Sequence, residues 1–322
     1  MAYTAVVTGA SGYVATEVVK QLLEKGYNVR GTVRSLSSKD KVEHLELLGQ
    51  ALPGKLTLHE ADLLKPGSFD EIVKGADFVF HTASPFFRDV QDPMKDLVEP
   101  AVHGTQNVLS SVAKSKDTVK KVIQTSSFAA IVKTSKGPSN GKLYTEEDWN
   151  DESKPDKEGG YRYSKTAAEE AGWKFSKKEG VPLITINPTF VLGPVVGKRA
   201  DATSIIDFKG FIEGTNTNIM PWQIDVRDIG RAHVAAAEVP SAQGRYLTSH
   251  SSTVSTKTLS DILSKRFPQY KFPAGEDAPV KTVIDNSKVQ KELGIKLHEP
   301  AETYIDMATT LISTGIAKPV PK

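Results

Sequence analysis

The chain has 322 residues, 39% hydrophobic and 25% charged, with 41 Lys+Arg against 39 Asp+Glu and a formal net charge of +2 at pH 7. That apolar share supports a sizeable core and excludes an intrinsically disordered chain, and dispersed basic residues at near-neutral charge argue against a nucleic-acid surface. The absence of cysteine removes disulfides, thiolate zinc sites, iron–sulfur clusters and a thiol nucleophile together.

Seven histidines, never three or four positions apart, leave a helical metal site unsupported, so no metal is expected. No apolar run approaches the roughly 20 residues of a membrane-spanning helix. The first such run, Ala5-Val6-Val7, leads into a glycine turn, so no leader peptide is expected either. The expectation is a soluble cytoplasmic protein.

Short apolar runs alternate with longer amphipathic ones over the first two-thirds, the pattern of β-α units feeding a parallel sheet covered on both faces. The predicted strands are 4–8, 27–33, 56–59, 78–81, 121–125 and 183–186. Between the first two, Val14, Val18 and Leu22 recur every four residues opposite Glu17, Lys20, Gln21 and Glu24, which predicts a one-sided helix ended by Gly26. Residues 133–160 gather glycine, proline and charge and read as a long surface excursion, functional or mobile. A helix is predicted over 161–178, then a helix at 226–237, a strand at 245–248 and a closing helix at 301–313 that carries Tyr304, Met307 or Ala308, and Leu311 at helical spacing. The fold class is α/β: a Rossmann-type doubly wound parallel sheet over 1–188, with 189–322 mainly a smaller substrate-binding lobe, some segments returning to the first domain.

The first β-α turn reads Thr8-Gly9-Ala10-Ser11-Gly12-Tyr13-Val14-Ala15. Gly9 permits a sharp turn, Gly12 lets the backbone approach a pyrophosphate, and the helix start faces its charge. Ala15 allows close helix packing. Gly9, Ser11, Gly12, Tyr13 and Val14 are therefore candidate cofactor-binding residues. No Lys-Ser/Thr follows, which excludes a P-loop.

The second strand ends in Arg34, with no Asp or Glu between Glu24 and Asp40. NAD-binding chains usually place an acid there, whereas a guanidinium suits a 2′-phosphate. Lys41 or Lys39 can add a second cation, so NADPH/NADP+ is the expected cofactor. Asp62, followed by Leu63, stands where the adenine amino group can be accepted, with helix capping as its rival reading.

Tyr161 and Lys165 lie four residues apart, hence on one helical face at roughly 5–6 Å between Cβ atoms. A free phenol titrates near about 10, and a neighbouring ammonium stabilises its ionised form. Tyr163, two residues from Lys165, cannot take this place. Upstream, Thr125-Ser126-Ser127 puts hydroxyls at the carboxyl edge of the sheet, where open α/β sheets bind ligands. A serine there can hold a substrate carbonyl oxygen while the tyrosine delivers the proton, and Ser127 is preferred to Ser126.

These pieces resemble the extended short-chain dehydrogenase/reductases, in the branch of dihydroflavonol reductases, cinnamoyl-CoA reductases and related carbonyl reductases. The resemblance covers nearly the whole chain. It is carried by TGASGYVA (8–15), RGTVR (30–34), EADLL (60–64), VFHTASP (79–85), GTQNVL (104–109), TSS (125–127), YRYSK (161–165), INPTFVLGP (186–194) and DVRDIGRAH (225–233). It implies a catalytic triad of Ser127, Tyr161 and Lys165, with Lys165 also on the nicotinamide ribose and Asn107 supporting the proton relay. It further implies Thr82, Ala83 and Ser84 along the adenosine–ribose path, and Pro188 and Val191 at the nicotinamide amide. The implied reaction is hydride transfer from NADPH to an aldehyde or ketone.

Two departures bear on the substrate. Val132 stands where flavonoid reductases carry Asn or Asp, and the cinnamoyl-CoA reductase signature is missing around Tyr161. Phe86, Phe87, Phe128 and Trp222 can instead line an apolar pocket, for an aromatic or medium-chain aldehyde, ketone or ketoester. The alternatives are an epimerase or dehydratase of nucleotide sugars that retains NAD, and a non-catalytic NADPH sensor. Arg227, Asp228 and His233 read as helix-start and packing residues. The expected partner is a small carbonyl compound, with no nucleic acid and no membrane, and the chain is expected to be a monomer or weak homodimer.

Overall fold

Alternating apolar side chains build a sheet buried on both faces. In a computed structural model, the described residues are 2–84, 90–133, 135, 137–198, 200–281 and 283–322. The first half runs β1 (Thr4–Val7), α1 (Tyr13–Glu24), β2 (Asn28–Val33), α2 (Lys39–Ala51), β3 (Lys55–Glu60), α3 (Asp70–Val73), β4 (Phe78–His81), α4 (Glu99–Ala113) and β5 (Lys121–Thr125). It continues with α5 (Gly160–Glu179), β6 (Leu183–Pro188), β7 (Phe190–Leu192), α6 (Thr203–Ile212), β8 (Gln223–Asp225), α7 (Val226–Glu238) and β9 (Gly244–Thr248). The chain closes with α8 (Thr256–Arg266), β10 (Tyr270–Lys271), α9 (Ser287–Leu293), α10 (Pro300–Ser313) and β11 (Val320–Pro321).

Seven strands pair in the order β3-β2-β1-β4-β5-β6-β9, all parallel. This is the Rossmann-type doubly wound sheet, with its order reversing between β1 and β4. The pleat explains the patterning. Ala5, Val7, Phe78, Phe80 and Ile123 face α1, α7 and α9, whereas Val6, Val79, Val122 and Leu183 face α3, α4 and α5. Strand β9 and helix α7 return from the second half of the chain to this sheet. A separate cluster, Phe208, Phe211, Leu259, Leu263, Tyr304, Met307 and Leu311, packs α6, α8 and α10 together against Leu192.

The 133–160 segment is an irregular excursion whose described residues are mostly exposed or half-buried, with a few buried anchors. No helix or strand is present between Ala130 and Gly160 among the described residues, yet Tyr144, Asp148 and Asn150 are buried. Side chains supply what a ladder would otherwise provide. Asp148 accepts from the Ser139 and Thr145 amides at 2.6 and 2.9 Å, and the Asn150 amide donates to Ala129 O at 2.9 Å. The segment is a strap fastened over the carboxyl edge of the sheet.

Candidate active site

The glycine turn is fixed by close packing. Gly9 has φ +62, and a Cβ on it would stand 2.9 Å from the Ala83 Cβ, so both the conformation and the space demand glycine. Gly12 is the N-cap of α1, with no side-chain cap and no acid in the first turn. The first N–H groups of that helix therefore keep their donors for an anion. Tyr13 anchors the turn from behind: its hydroxyl donates to Gly193 O at 2.7 Å, and burial pushes its phenol well above the ordinary range.

The 82–84 segment is locked to the same turn. Ala83 N donates to Thr8 Oγ1 at 3.0 Å, and the Thr82 hydroxyl donates to Thr8 O. Behind them, Thr105 donates to Ala101 O at 2.9 Å, so its oxygen accepts from His81 Nε2 at 3.2 Å. His81 Nδ1 then accepts from Thr8 Oγ1 at 3.1 Å, an assignment that follows from the network. The ring is neutral; burial pushes it down from 6.5 to about 4, helped by the positive charge of Lys165.

Beyond the end of β2, Arg34 and Lys41 are exposed. Neither side chain makes a hydrogen bond or ion pair among the described residues, whereas Lys39 pairs with Glu46 at 3.3 Å. Two uncommitted cations beside an uncapped helix start and a glycine cradle are a donor set that fits a 2′-phosphorylated dinucleotide. Lys41 lies on α2, a helix the sequence reading left out because its buried stripe is only Val42, His44 and Leu45. Asp62 accepts from the Leu64 amide at 2.9 Å, capping its own turn. Asn107 donates to Leu63 O at 2.7 Å. Among the described residues that is the one hydrogen bond of its side chain, so it braces the Leu63 turn.

The catalytic candidates converge on the carboxyl edge. Tyr161 and Lys165 share one face of α5, and the Lys165 ammonium lies 5.7 Å from the Tyr161 ring centroid. Tyr161 is 40% exposed. The two serines after β5 divide. Ser126 is buried and donates to Glu169 Oε2 at 2.5 Å, so it is occupied. Ser127 is half-buried, accepts from Ala129 N at 3.1 Å, and starts the short turn 128–130 that packs on α5. Thr125 donates to His233 Nε2 at 2.7 Å, while His233 Nδ1 donates to Ile229 O at 2.8 Å. Burial pushes that ring to about 4.

Pro188 ends β6 in full burial, and Val191 lies half-buried on β7. Phe128 is buried, edge-on to Tyr144 at 5.4 Å and Trp222 at 5.7 Å. Val132 packs against this same cluster. The Trp222 indole N–H is buried without an acceptor among the described residues. Phe86 and Phe87 lie outside the described residues. The α7 start is structural: Asp225 accepts from Arg227 N at 2.8 Å and pairs with the Arg227 guanidinium.

Sequence reasoning missed Glu169 and Arg245. Both are buried, paired at 2.6 Å, and set directly behind the catalytic edge. Their signal was a Glu four residues beyond Lys165, on the stripe already singled out.

Fold and site together define a dinucleotide-binding α/β protein with a tyrosine–lysine pair at the carboxyl edge. Residues 5–247 match the NAD dependent epimerase/dehydratase family, and the chain belongs to that family. It is 39% identical to cinnamoyl-CoA reductase CAD2 of Medicago truncatula over 310 residues, 93% of this chain and 92% of the relative. Among solved structures it resembles Gre2 from Candida albicans in complex with NADPH, with TM-score 0.84 and 32% identity over 97% of this chain and 99% of the other. Yeast methylglyoxal/isovaleraldehyde reductase Gre2 with NADPH gives TM-score 0.84 at 29% identity, with the same coverage. No described helix is long and apolar enough to cross a membrane.

Proposed function

We propose that this chain is an NADPH-dependent reductase that converts an aldehyde or ketone to the alcohol, with Tyr161 as proton donor. The observation that carries the reading is the Lys165 ammonium held beside the Tyr161 ring, on the sheet edge that also presents Ser127. The sequence likeness to a reductase and the fold shared with NADPH-bound reductases support it over an epimerase or dehydratase.

The residues divide the work. The turn from Gly9 to Val14, with Ser11, Gly12 and Tyr13, takes the pyrophosphate. Arg34 and Lys41 take the 2′-phosphate, Asp62 and Leu63 flank the adenine, and Thr82, Ala83 and Ser84 follow the ribose path. Pro188 and Val191 border the nicotinamide amide. When bound, NADPH supplies the hydride. Ser127 donates a hydrogen bond to the substrate oxygen, Tyr161 delivers its proton there, and Lys165 binds the ribose and stabilises the phenolate left behind. Asn107 acts through the Leu63 turn it braces.

Phe86, Phe87, Phe128 and Trp222 form the pocket in this reading, and Val132 keeps that side apolar. The substrate class is an aromatic or medium-chain aldehyde, ketone or ketoester. Residues 189–322 act mainly as the substrate lobe, and the enzyme works in the cytoplasm as a monomer or weak homodimer.

The test is oxidation of NADPH and NADH against a panel of aldehydes, ketones and ketoesters, beginning with small aldehydes. The expected result is turnover with NADPH in clear preference. Tightly bound NAD surviving gel filtration, with no carbonyl reduction, would favour the nucleotide-sugar chemistry instead.

A further inference from the structure

We infer that Glu169 is a positioning residue for this reaction: its buried carboxylate, clamped by Arg245, fixes Ser127 and the Pro188 strand end relative to Tyr161 and Lys165. The inference rests on the catalytic roles proposed above. Glu169 is fully buried and lies one turn beyond Lys165 on the same face of α5. Its Oε2 accepts from Ser126 Oγ at 2.5 Å and from Asn187 Nδ2 at 2.8 Å. Its Oε1 accepts from Arg245 Nε at 2.6 Å, Trp173 Nε1 at 3.1 Å and Thr185 Oγ1 at 3.3 Å.

The partners are neighbours of the site in sequence. Ser126 immediately precedes Ser127, and Asn187 immediately precedes Pro188. Asn187 Nδ2 also donates to Ser127 O at 3.3 Å, so one amide joins the carboxylate to the catalytic strand end. Arg245 extends the clamp into the strap, donating to Asp148 O at 2.5 Å, Glu146 O at 2.9 Å and Ala130 O at 3.3 Å. Its guanidinium stacks 3.9 Å from the Trp149 ring centroid.

A buried ion pair is an inefficient way to stabilise a fold, because an apolar pair of similar volume is often neutral or more stabilising. Its distinctive property is direction: hydrogen bonds to a carboxylate specify angles that apolar packing does not. Here those angles fix the elements that carry the reacting groups.

The discriminating variant is therefore the apolar pair Glu169→Leu with Arg245→Met. The expected result is a lowered melting temperature, because Ser126, Asn187, Trp173 and Thr185 lose their acceptor and three backbone carbonyls lose their donor, with NADPH affinity by fluorescence titration unchanged. Its kcat should fall about 10- to 100-fold, the loss typical of ångström-scale misplacement. Unchanged kcat overturns the inference, and so does a fall in NADPH affinity in step with kcat. Should the double variant fail to fold, Ser126→Ala decides. A kcat lowered about threefold to tenfold at unchanged NADPH affinity supports the positioning role, and wild-type kcat overturns it. Tyr161→Phe separates the two claims. If it keeps turnover, the catalytic reading fails; if it is inactive while the apolar pair turns over normally, only the positioning role fails.

Discussion

The two ends of the sheet's carboxyl edge are built in opposite ways. At the β2 end, Arg34 and Lys41 stand in solvent with no partner among the described residues. At the β5–β6 end, Ser126, Asn187, Glu169 and Arg245 are buried and satisfied, with Glu169 alone receiving hydrogen bonds from five side chains. Long exposed cations can follow a phosphate and choose between cofactors without a rigid frame. Proton and hydride delivery tolerate no such freedom, because their rates depend on alignment of the reacting atoms. On the proposed roles, selectivity belongs to the open end and rate to the closed one.

Breaking the closed end should have the largest effect. Tyr161→Phe removes the proposed proton donor and leaves its ring beside Lys165. Carbonyl reduction should then slow by about 10²- to 10⁴-fold, the usual worth of a positioned general acid, while NADPH binding stays within a few-fold. Single-turnover NADPH oxidation and fluorescence titration measure the two quantities. Equal losses in both would place Tyr161 in cofactor binding and blur the division.

The closed end also carries a pH signature. His81 and His233 are held neutral by burial, each pushed from 6.5 to about 4. The unfolded chain binds these protons more readily, so stability rises with pH between those values. The contribution is fully present above about pH 6.5 and is lost as pH falls towards about 4, up to about 3 kcal/mol per ring. Protonating His81 would also cost Thr8 its acceptor, loosening the turn that Thr8 ties to Ala83. Melting temperature against pH should drop across this window, and His233→Gln should flatten part of the drop. Parallel curves for variant and wild type would remove His233 from the account.

Sequence reading was strongest where geometry is periodic or local. The 78–81 and 121–125 strands match the observed β4 and β5, because each is a short apolar or β-branched run between turn-formers. The glycine turn was equally legible, since the left-handed φ at Gly9 excludes most other residues. The Tyr161–Lys165 pair needed only the helical repeat to bring its groups together. What stayed hidden depended on tertiary partners. Nothing local to Glu169 or Arg245 reveals that 76 positions of sequence close into an ion pair. Similarly, the polar 133–160 segment conceals its buried anchors, because Asp148 and Asn150 serve its own backbone. The edge-on packing of Phe128 on Tyr144 and Trp222 is of the same kind, a set of tertiary contacts that no local pattern announces.

The open end sets a smaller but sharper test. Because Arg34 is exposed, its contact with a 2′-phosphate is screened by water and salt, and its worth lies well below that of a buried pair. Arg34→Gln should weaken NADPH binding about fivefold to tenfold, consistent with loss of one solvent-screened charged hydrogen bond. NADH affinity should be unchanged, since NADH carries no group for this side chain. Arg34→Glu should go further and erase the preference by repelling the phosphate. Salt distinguishes this mechanism from simple loss of packing. Wild-type NADPH affinity should fall with ionic strength, the Arg34→Gln slope should be shallower, and Lys41→Gln should give an intermediate slope. Equal salt slopes in wild type and Arg34→Gln, with an unchanged NADPH-to-NADH ratio, would move cofactor choice away from this strand end and undo the contrast between the two ends.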